Sequence, residues 1–125
     1  MSIPVIIDAN IFLSIIIKDS QTQQAESLLK MLHTTNHNLN APYLFRYEII
    51  AAIRKHIHRG TLTVNEGIAG VNFIFGQPIN YFTDTHLLYQ GLDFANQFNL
   101  PSAYDAQYLA LASYLNCDFW TGIRD

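Results

Sequence analysis

Three carboxylic acids lie on separate segments of this sequence, each in a place from which it could reach a shared site. Asp8 ends an apolar run, Glu48 lies within a long helical pattern, and Asp105 closely follows a Pro-Ser pair. Clustered carboxylates repel one another and raise one another's pKa values unless a divalent cation neutralises them. Mg²⁺ and Mn²⁺ prefer oxygen ligands, and a water bound to such an ion is acidified and can attack phosphorus. The three acids are therefore a candidate metal site for phosphoryl chemistry.

All three acids also have a purely structural interpretation. For Glu48 it is an exposed glutamate with weak charge pairs along its helix, which is the stronger interpretation when that helix is considered alone. Asp8 could be the N-cap of the helix that follows it, because an aspartate there accepts a backbone N–H from the first turn. Asn10 could cap that helix equally well and would leave Asp8 available for chemistry. Ser102 and Asp105 have the spacing of a capping box. Both interpretations stay open for each acid.

The helix that carries Glu48 is predicted from residue 43 to residue 59. At 100° per residue, one ridge of this helix is apolar and consists of Ile49, Ile50, Ile53 and Ile57. Glu48 falls on the opposite side, in line with two small and two cationic side chains: Ala51, Ala52, Lys55 and Arg59.

The same helix concentrates positive charge on a chain whose net charge is −3. Such a basic segment can contact nucleic-acid phosphates even on an acidic protein, although a solvated helix face is the commoner explanation. The candidate RNA-binding residues are Arg46, Arg54, Lys55 and Arg59.

The bulk composition indicates one globular domain with its own core. The chain has 125 residues, of which 50% are hydrophobic and 14% are charged. Cys117 is the only cysteine, which excludes a disulfide framework and favours a reducing compartment. The first apolar stretch is too short and interrupted for a membrane span or signal peptide. We therefore expect a cytoplasmic protein.

Short apolar strands alternate with helices along the chain. This alternation predicts a single α/β domain over residues 1–125, with a parallel sheet covered on both faces. In such sheets, functional groups gather beyond the carboxyl ends of the strands, where Asp8 stands. The predicted strands are 3–8, 39–41, 79–82 and 117–121, and the predicted helices are 10–18, 21–33, 43–59, 65–75, 85–98 and 102–115.

The ordered segments DANIF (8–12), YEIIAAI (47–53), LPSAYDAQYLALA (100–112) and CDFWT (117–121) resemble a PIN domain. The similarity is to the VapC-type ribonuclease toxins of bacterial toxin–antitoxin pairs, and it covers essentially the whole chain. It implies a three-layer α/β/α sandwich with a central parallel sheet of about four strands and an acidic pocket at its carboxyl edge.

The resemblance also implies a chemistry. Members of this family hydrolyse RNA phosphodiester bonds with Mg²⁺ or Mn²⁺, commonly as homodimers inhibited by a small antitoxin protein. Position by position, Asp8, Glu48 and Asp105 match the metal-binding, catalytic acids. Asn10 and Thr121 match supporting polar residues.

The end of the sequence departs from the family pattern. After the fourth strand the family has Thr-x-Asp, whereas this chain has Thr121-Gly122-Ile123, so that Ile123 replaces the fourth acid. The sequence stops at Asp125, where a further strand is expected, and we therefore expect the C-terminal strand to be missing. This departure leaves a second function open, that of a catalytically impaired PIN-like domain that binds RNA or a protein.

A phosphoaspartyl enzyme of the haloacid-dehalogenase type would also place an aspartate after the first strand. Such enzymes have a second acid two residues later and a lysine downstream. Here Asn10 takes the first position and no lysine follows Lys55, so the sequence disfavours this chemistry.

Overall fold

Four parallel strands form the sheet of this protein, seen in a computed structural model that describes residues 2–100 and 103–120. Neighbouring strands pair in the order β3-β2-β1-β4, so that β1 and β2 are central. The strands are β1 (Ile3–Ile7), β2 (His37–Pro42), β3 (Ile79–Phe82) and β4 (Asp118–Trp120).

Helices fill the connections between these strands. Two successive helices lie in each connection, so every strand can enter the sheet in the same direction. The helices are α1 (Ala9–Ile16), α2 (Thr22–Thr34), α3 (Leu44–Arg59), α4 (Val64–Phe75), α5 (Thr85–Gln97) and α6 (Ala103–Leu115).

The strand order explains how the helices cover the sheet. The connections from β1 to β2 and from β2 to β3 step in one direction, and the connection from β3 returns past both to β4. Because such crossovers are right-handed, α1 to α4 lie on one face and α5 and α6 on the other. The predicted three-layer α/β/α architecture is confirmed.

The core forms around β1 because this strand is apolar without interruption. Val5, Ile6 and Ile7 are all buried, as is typical of a parallel strand covered on both faces. Phe12 of α1 packs edge-on against Phe45 of α3, with 5.7 Å between ring centroids. This contact fixes the first helical layer above the strands that end at the candidate site.

Helix α3 ends where the sequence predicts, but its buried face differs from the prediction. Gly60 follows it with a φ of 81°, a left-handed conformation that glycine adopts without steric cost. Phe45, Ile49 and Ile53 form the buried row. The assignment of Ile50 to the apolar ridge is wrong, because this side chain is 50% exposed and lies one residue off that row.

Two other boundaries also differ from the sequence prediction. Helix α4 begins at Val64 because Thr63 and Glu66 form a reciprocal capping box. Strand β2 continues to Pro42, which pairs with Phe82 of β3 at the end of the ladder. A proline is tolerated there because the next residue, Tyr43, supplies the N–H that bonds to β3, donating to the main-chain oxygen of Phe82 at 3.0 Å. In the part of the chain that the structure describes, no helix combines the length and apolarity needed to cross a membrane.

Candidate active site

Asp8 lies directly beyond β1, at the carboxyl edge of the sheet, and only 3% of its surface is exposed. It is the N-cap of α1, with extended backbone angles, and its Oδ1 accepts the backbone N–H of Asn10 at 3.2 Å. The alternative that Asn10 caps the helix is therefore wrong: Asn10 is an exposed residue of the first helical turn. A carboxylate has two oxygens with about four acceptor positions, so capping is compatible with a second role for Asp8.

Glu48 is half-buried on the second turn of α3 and is held by a residue of α6. The hydroxyl of Tyr108 donates a hydrogen bond to Glu48 Oε1 at 2.5 Å. Tyr108 is itself almost completely buried, with 1% of its surface exposed, and its ring stacks on Phe119 of β4 with centroids 5.3 Å apart. A contact between residues 60 positions apart therefore connects α3 to α6 at this end of the sheet.

The Tyr108 oxygen is also an acceptor. The backbone N–H of Ala9, the first residue of α1, donates to it. Amides in the first turn of a helix have no partner within the helix, and here the phenol supplies one. The resulting chain of donors runs from Ala9 through Tyr108 to Glu48, immediately next to the Asp8 cap.

Both Glu48 and Asp8 influence the ionisation of Tyr108. Burial, the hydrogen bond to Glu48 and the negative charges of Glu48 and Asp8 raise the pKa of Tyr108 far above its ordinary value, and the Ala9 N–H opposes them only in part. The phenol is consequently neutral and acts as a donor. Both carboxylates lie within electrostatic reach of this single hydroxyl.

Asp105 is exposed in the first turn of α6, three residues before Tyr108. Helical residues at this spacing are neighbours on one face. Within residues 2–100 and 103–120, no group of three or more His, Cys, Asp or Glu residues is close enough to hold a metal ion. The structure therefore brings Asp8 and Glu48 to one hydroxyl, and a three-acid site that includes Asp105 stays a prediction.

Several predicted features lie outside the described residues. These are the Ser102 half of the capping box, the supporting residue Thr121, and the replacement of the fourth acid by Ile123. Tyr108 was missed as a site residue by sequence reasoning. Its signal is present, since a tyrosine three residues after Asp105 shares a helix face with that acid.

The four candidate RNA-binding residues occupy different surroundings. The Arg46 guanidinium lies over the rings of Tyr43, Phe75 and Tyr81, between 5.1 and 5.4 Å from their centroids. Its Nη1 also donates a hydrogen bond of 3.4 Å to the Tyr43 hydroxyl. The other three candidates, Arg54, Lys55 and Arg59, are exposed.

An apolar cleft of about 410 Å³ opens at the same edge of the sheet, between the ends of β2 and β3 and the helices α3, α5 and α6. Tyr47 and Tyr104 are among its lining residues, and they directly precede Glu48 and Asp105 in the sequence. Both tyrosine side chains are about two-thirds exposed, at 67% and 64%. The edge of the sheet thus combines the buried Asp8 and the half-buried Glu48 with accessible aromatic surface.

The fold is similar to that of solved VapC structures. The Mycobacterium tuberculosis toxin VapC20, described as cleaving the sarcin-ricin loop, aligns with a TM-score of 0.72 and 11% identity over 97% of this chain and 91% of that one. VapBC2 from Rickettsia felis, solved bound to a DNA fragment from its promoter, aligns with a TM-score of 0.65 and 13% identity, over 94% and 86%. This chain has a VapC-type PIN fold.

The PIN fold confirms the resemblance that the ordered motifs indicate. No family model matches the sequence, and no curated protein matches it. At 11% and 13% identity the likeness to these toxins is one of fold. The chemistry of this PIN-fold protein has to be derived from the side chains at its own sheet edge.

Proposed function

We propose that this protein is a metal-dependent endoribonuclease that hydrolyses RNA phosphodiester bonds, as the toxin of a toxin–antitoxin pair. The observation that carries the proposal is the hydrogen bond from Tyr108 to Glu48 Oε1, which holds this carboxylate at the carboxyl edge of a PIN-fold sheet where Asp8 caps α1. In parallel α/β sheets this edge is where ligands and reacting groups collect.

The side chains present suit a divalent cation. Asp8 is a buried carboxylate and Glu48 a half-buried one, and both act on the same hydroxyl. Such proximity is unfavourable for two like charges, and a divalent cation between or beside them would offset the repulsion. Asp8 and Glu48, together with Asp105 from the first turn of α6, would hold Mg²⁺ or Mn²⁺. When bound, the ion would acidify a water and neutralise charge on the phosphoryl oxygens.

The protein's own residues contribute rigidity to this site. Asp8 is fixed by its cap contact with the first turn of α1. Tyr108 is fixed by burial and by its stack on Phe119. Acids that are held in place before substrate binds do not have to be ordered during the reaction.

Exposed cations on α3 would contact the RNA backbone away from the reacting phosphate. Lys55 and Arg59 follow Glu48 by seven and eleven residues, which returns both to its side of the helix. At 1.5 Å per residue they lie about 10 Å and 16 Å along the axis from Glu48, away from the proposed reacting phosphate. Arg46 is engaged by aromatic rings, and we assign it to packing.

The proposed partners are a small antitoxin and a second copy of this chain, in the cytoplasm. VapBC2 of Rickettsia felis is solved with DNA from its promoter, and the fold shared with it supports an antitoxin here. Exposed apolar side chains on two helices, Tyr47 and Ile50 of α3 and Leu88 and Leu92 of α5, are all at least half exposed and suit protein interfaces.

The decisive experiment is cleavage of a mixed RNA pool with Mg²⁺ or Mn²⁺, with EDTA as the metal-free control. Asp8→Asn removes the charge and retains a good N-cap, so the variant should fold and lose cleavage. Asp93→Asn makes the same chemical change at an exposed position of α5 and should cleave normally. RNA binding without metal-dependent cleavage in the wild type would replace the nuclease by the impaired, RNA-binding domain.

A further inference from the structure

The hydroxyl of Tyr108 occupies an unusual position for a core residue. It accepts from the Ala9 N–H at the start of α1 and donates to Glu48 Oε1 at 2.5 Å. The ring below it is buried and stacked on Phe119, with an angle of 12° between the ring planes. The phenol oxygen is therefore a fixed point between one end of α1 and the side of α3.

Packing alone does not require this hydroxyl. A phenylalanine would fill the same space against Phe119, and burying a hydroxyl is unfavourable unless it is hydrogen-bonded. Here the hydroxyl satisfies a first-turn amide of α1 and restrains a glutamate that has three rotatable bonds. The restrained glutamate is one of the two acids that meet at the sheet edge.

We infer that Tyr108 is a positioning residue that holds the Glu48 carboxylate beside Asp8 in the geometry needed to bind a divalent cation. This inference rests on the proposed metal-dependent function. The hydrogen bond to Glu48 would then have the role that partners of metal ligands have in other metalloproteins. Tyr108 would not touch the ion or the RNA and would act only through Glu48.

The main test is the affinity of the full-length chain for Mn²⁺, measured by calorimetry or by the electron paramagnetic resonance of the free ion. Tyr108→Phe should weaken Mn²⁺ binding by about 10-fold or more, because losing the partner of a metal ligand typically costs 10- to 100-fold. Tyr114→Phe makes the same change at an exposed position of the same helix and should bind normally.

A double-mutant cycle separates positioning from a general structural role. In a Glu48→Gln background, adding Tyr108→Phe should leave the residual Mn²⁺ affinity unchanged, because the residue through which Tyr108 acts is already altered. An equal loss of affinity in both backgrounds would overturn the inference. The Mn²⁺-induced rise in melting temperature, taken for each variant against its own metal-free value, keeps the comparison valid where a variant is less stable.

The outcomes distinguish this inference from the proposed function. Wild-type protein that binds Mn²⁺ with an affinity unchanged by Tyr108→Phe would overturn the inference alone. Protein that binds Mn²⁺ through Tyr108 and Glu48 without cleaving RNA would remove the proposed nuclease and leave the inference standing. Wild-type protein that binds no Mn²⁺ at millimolar concentration would overturn both.

Discussion

Helix α3 carries two half-buried charged side chains, Arg46 and Glu48, in different surroundings. Aromatic rings surround the cation, whereas a phenol and a second carboxylate are the neighbours of the anion. The Arg46 guanidinium lies over three aromatic rings on one flank of the helix. Glu48 lies about 200° further around the helix and meets a phenol whose other electrostatic neighbour is a second carboxylate, Asp8. A cation surrounded by aromatic faces is stabilised where it is, whereas two nearby carboxylates are stabilised by adding a cation. Partial burial of a charge therefore identifies a candidate site only when its neighbours have the same sign.

The largest effect should come from the Glu48 flank. Glu48→Gln should lower metal-dependent RNA cleavage by more than about 100-fold, because it removes a charged ligand from the proposed cation site. The same change should not lower the melting temperature of the metal-free protein, since it relieves repulsion with Asp8 and leaves an acceptor for Tyr108. Cleavage assays measure the expected loss of activity, and thermal melts in EDTA measure the stability of the metal-free protein. A variant that keeps full activity would show that this flank is structural as well.

Added divalent cation should stabilise the wild-type protein, and the loss of this stabilisation in variants should distinguish the Glu48 flank of α3 from the Arg46 flank. At ten times the dissociation constant, Mn²⁺ should stabilise the wild type by about 1.4 kcal/mol, because it binds the folded state only. Asp8→Asn should lose this stabilisation, and an Arg46→Gln variant should keep it. Melting curves with and without Mn²⁺ provide the measurement. Equal stabilisation of all three proteins would indicate ion binding elsewhere on the surface.

The Arg46 flank should respond in stability and not in activity. Arg46→Gln removes the cation from the faces of Tyr43, Phe75 and Tyr81, and should cost about 1 kcal/mol in the free energy of unfolding. Urea denaturation measures this loss. The rate of RNA cleavage, measured well below the melting temperature, should be unchanged. A fall in RNA affinity without a loss of stability would return Arg46 to the RNA-binding residues.

The two flanks also show what the sequence could and could not predict. The continuous apolar run Val5–Ile7 predicted β1 because a strand buried on both faces has no polar alternation. Strand β2 was predicted only from residue 39 to residue 41, since the polar residues His37 and Asn38 and the proline Pro42 concealed its ends. Within the predicted part, Asn40 is 3% exposed and is satisfied by donating to the main-chain oxygens of Val5 and Asn38. A buried amide of this kind is tolerated because the sheet itself supplies acceptors.

The candidate site was predictable to a similar degree. Asp8 follows from the end of the apolar run, because a polar residue directly after a buried strand falls at the sheet edge. The link between Glu48 and Tyr108 depends on how α3 and α6 pack, and contacts across 60 residues leave no local pattern. Two of the three rings around Arg46, Phe75 of α4 and Tyr81 of β3, are distant in the sequence, so local reasoning places its charge in the exposed basic segment.

The smallest expected effect concerns the row that Glu48 shares with Lys55 and Arg59. If these exposed cations contact the phosphates of single-stranded RNA, each contact adds about 0.7 to the slope of log affinity against log salt concentration. Replacing both with alanine should flatten that slope by about 1.4 and weaken binding at low salt, with little change in melting temperature. Lys30→Ala, at an exposed position of α2, is the matched control and should bind with the wild-type slope. Binding isotherms over a range of salt concentrations in EDTA, so that no RNA is cut, make the measurement. An unchanged slope in the double variant would mean that the row is a solvated helix face and that the RNA approaches the acid pair from another side.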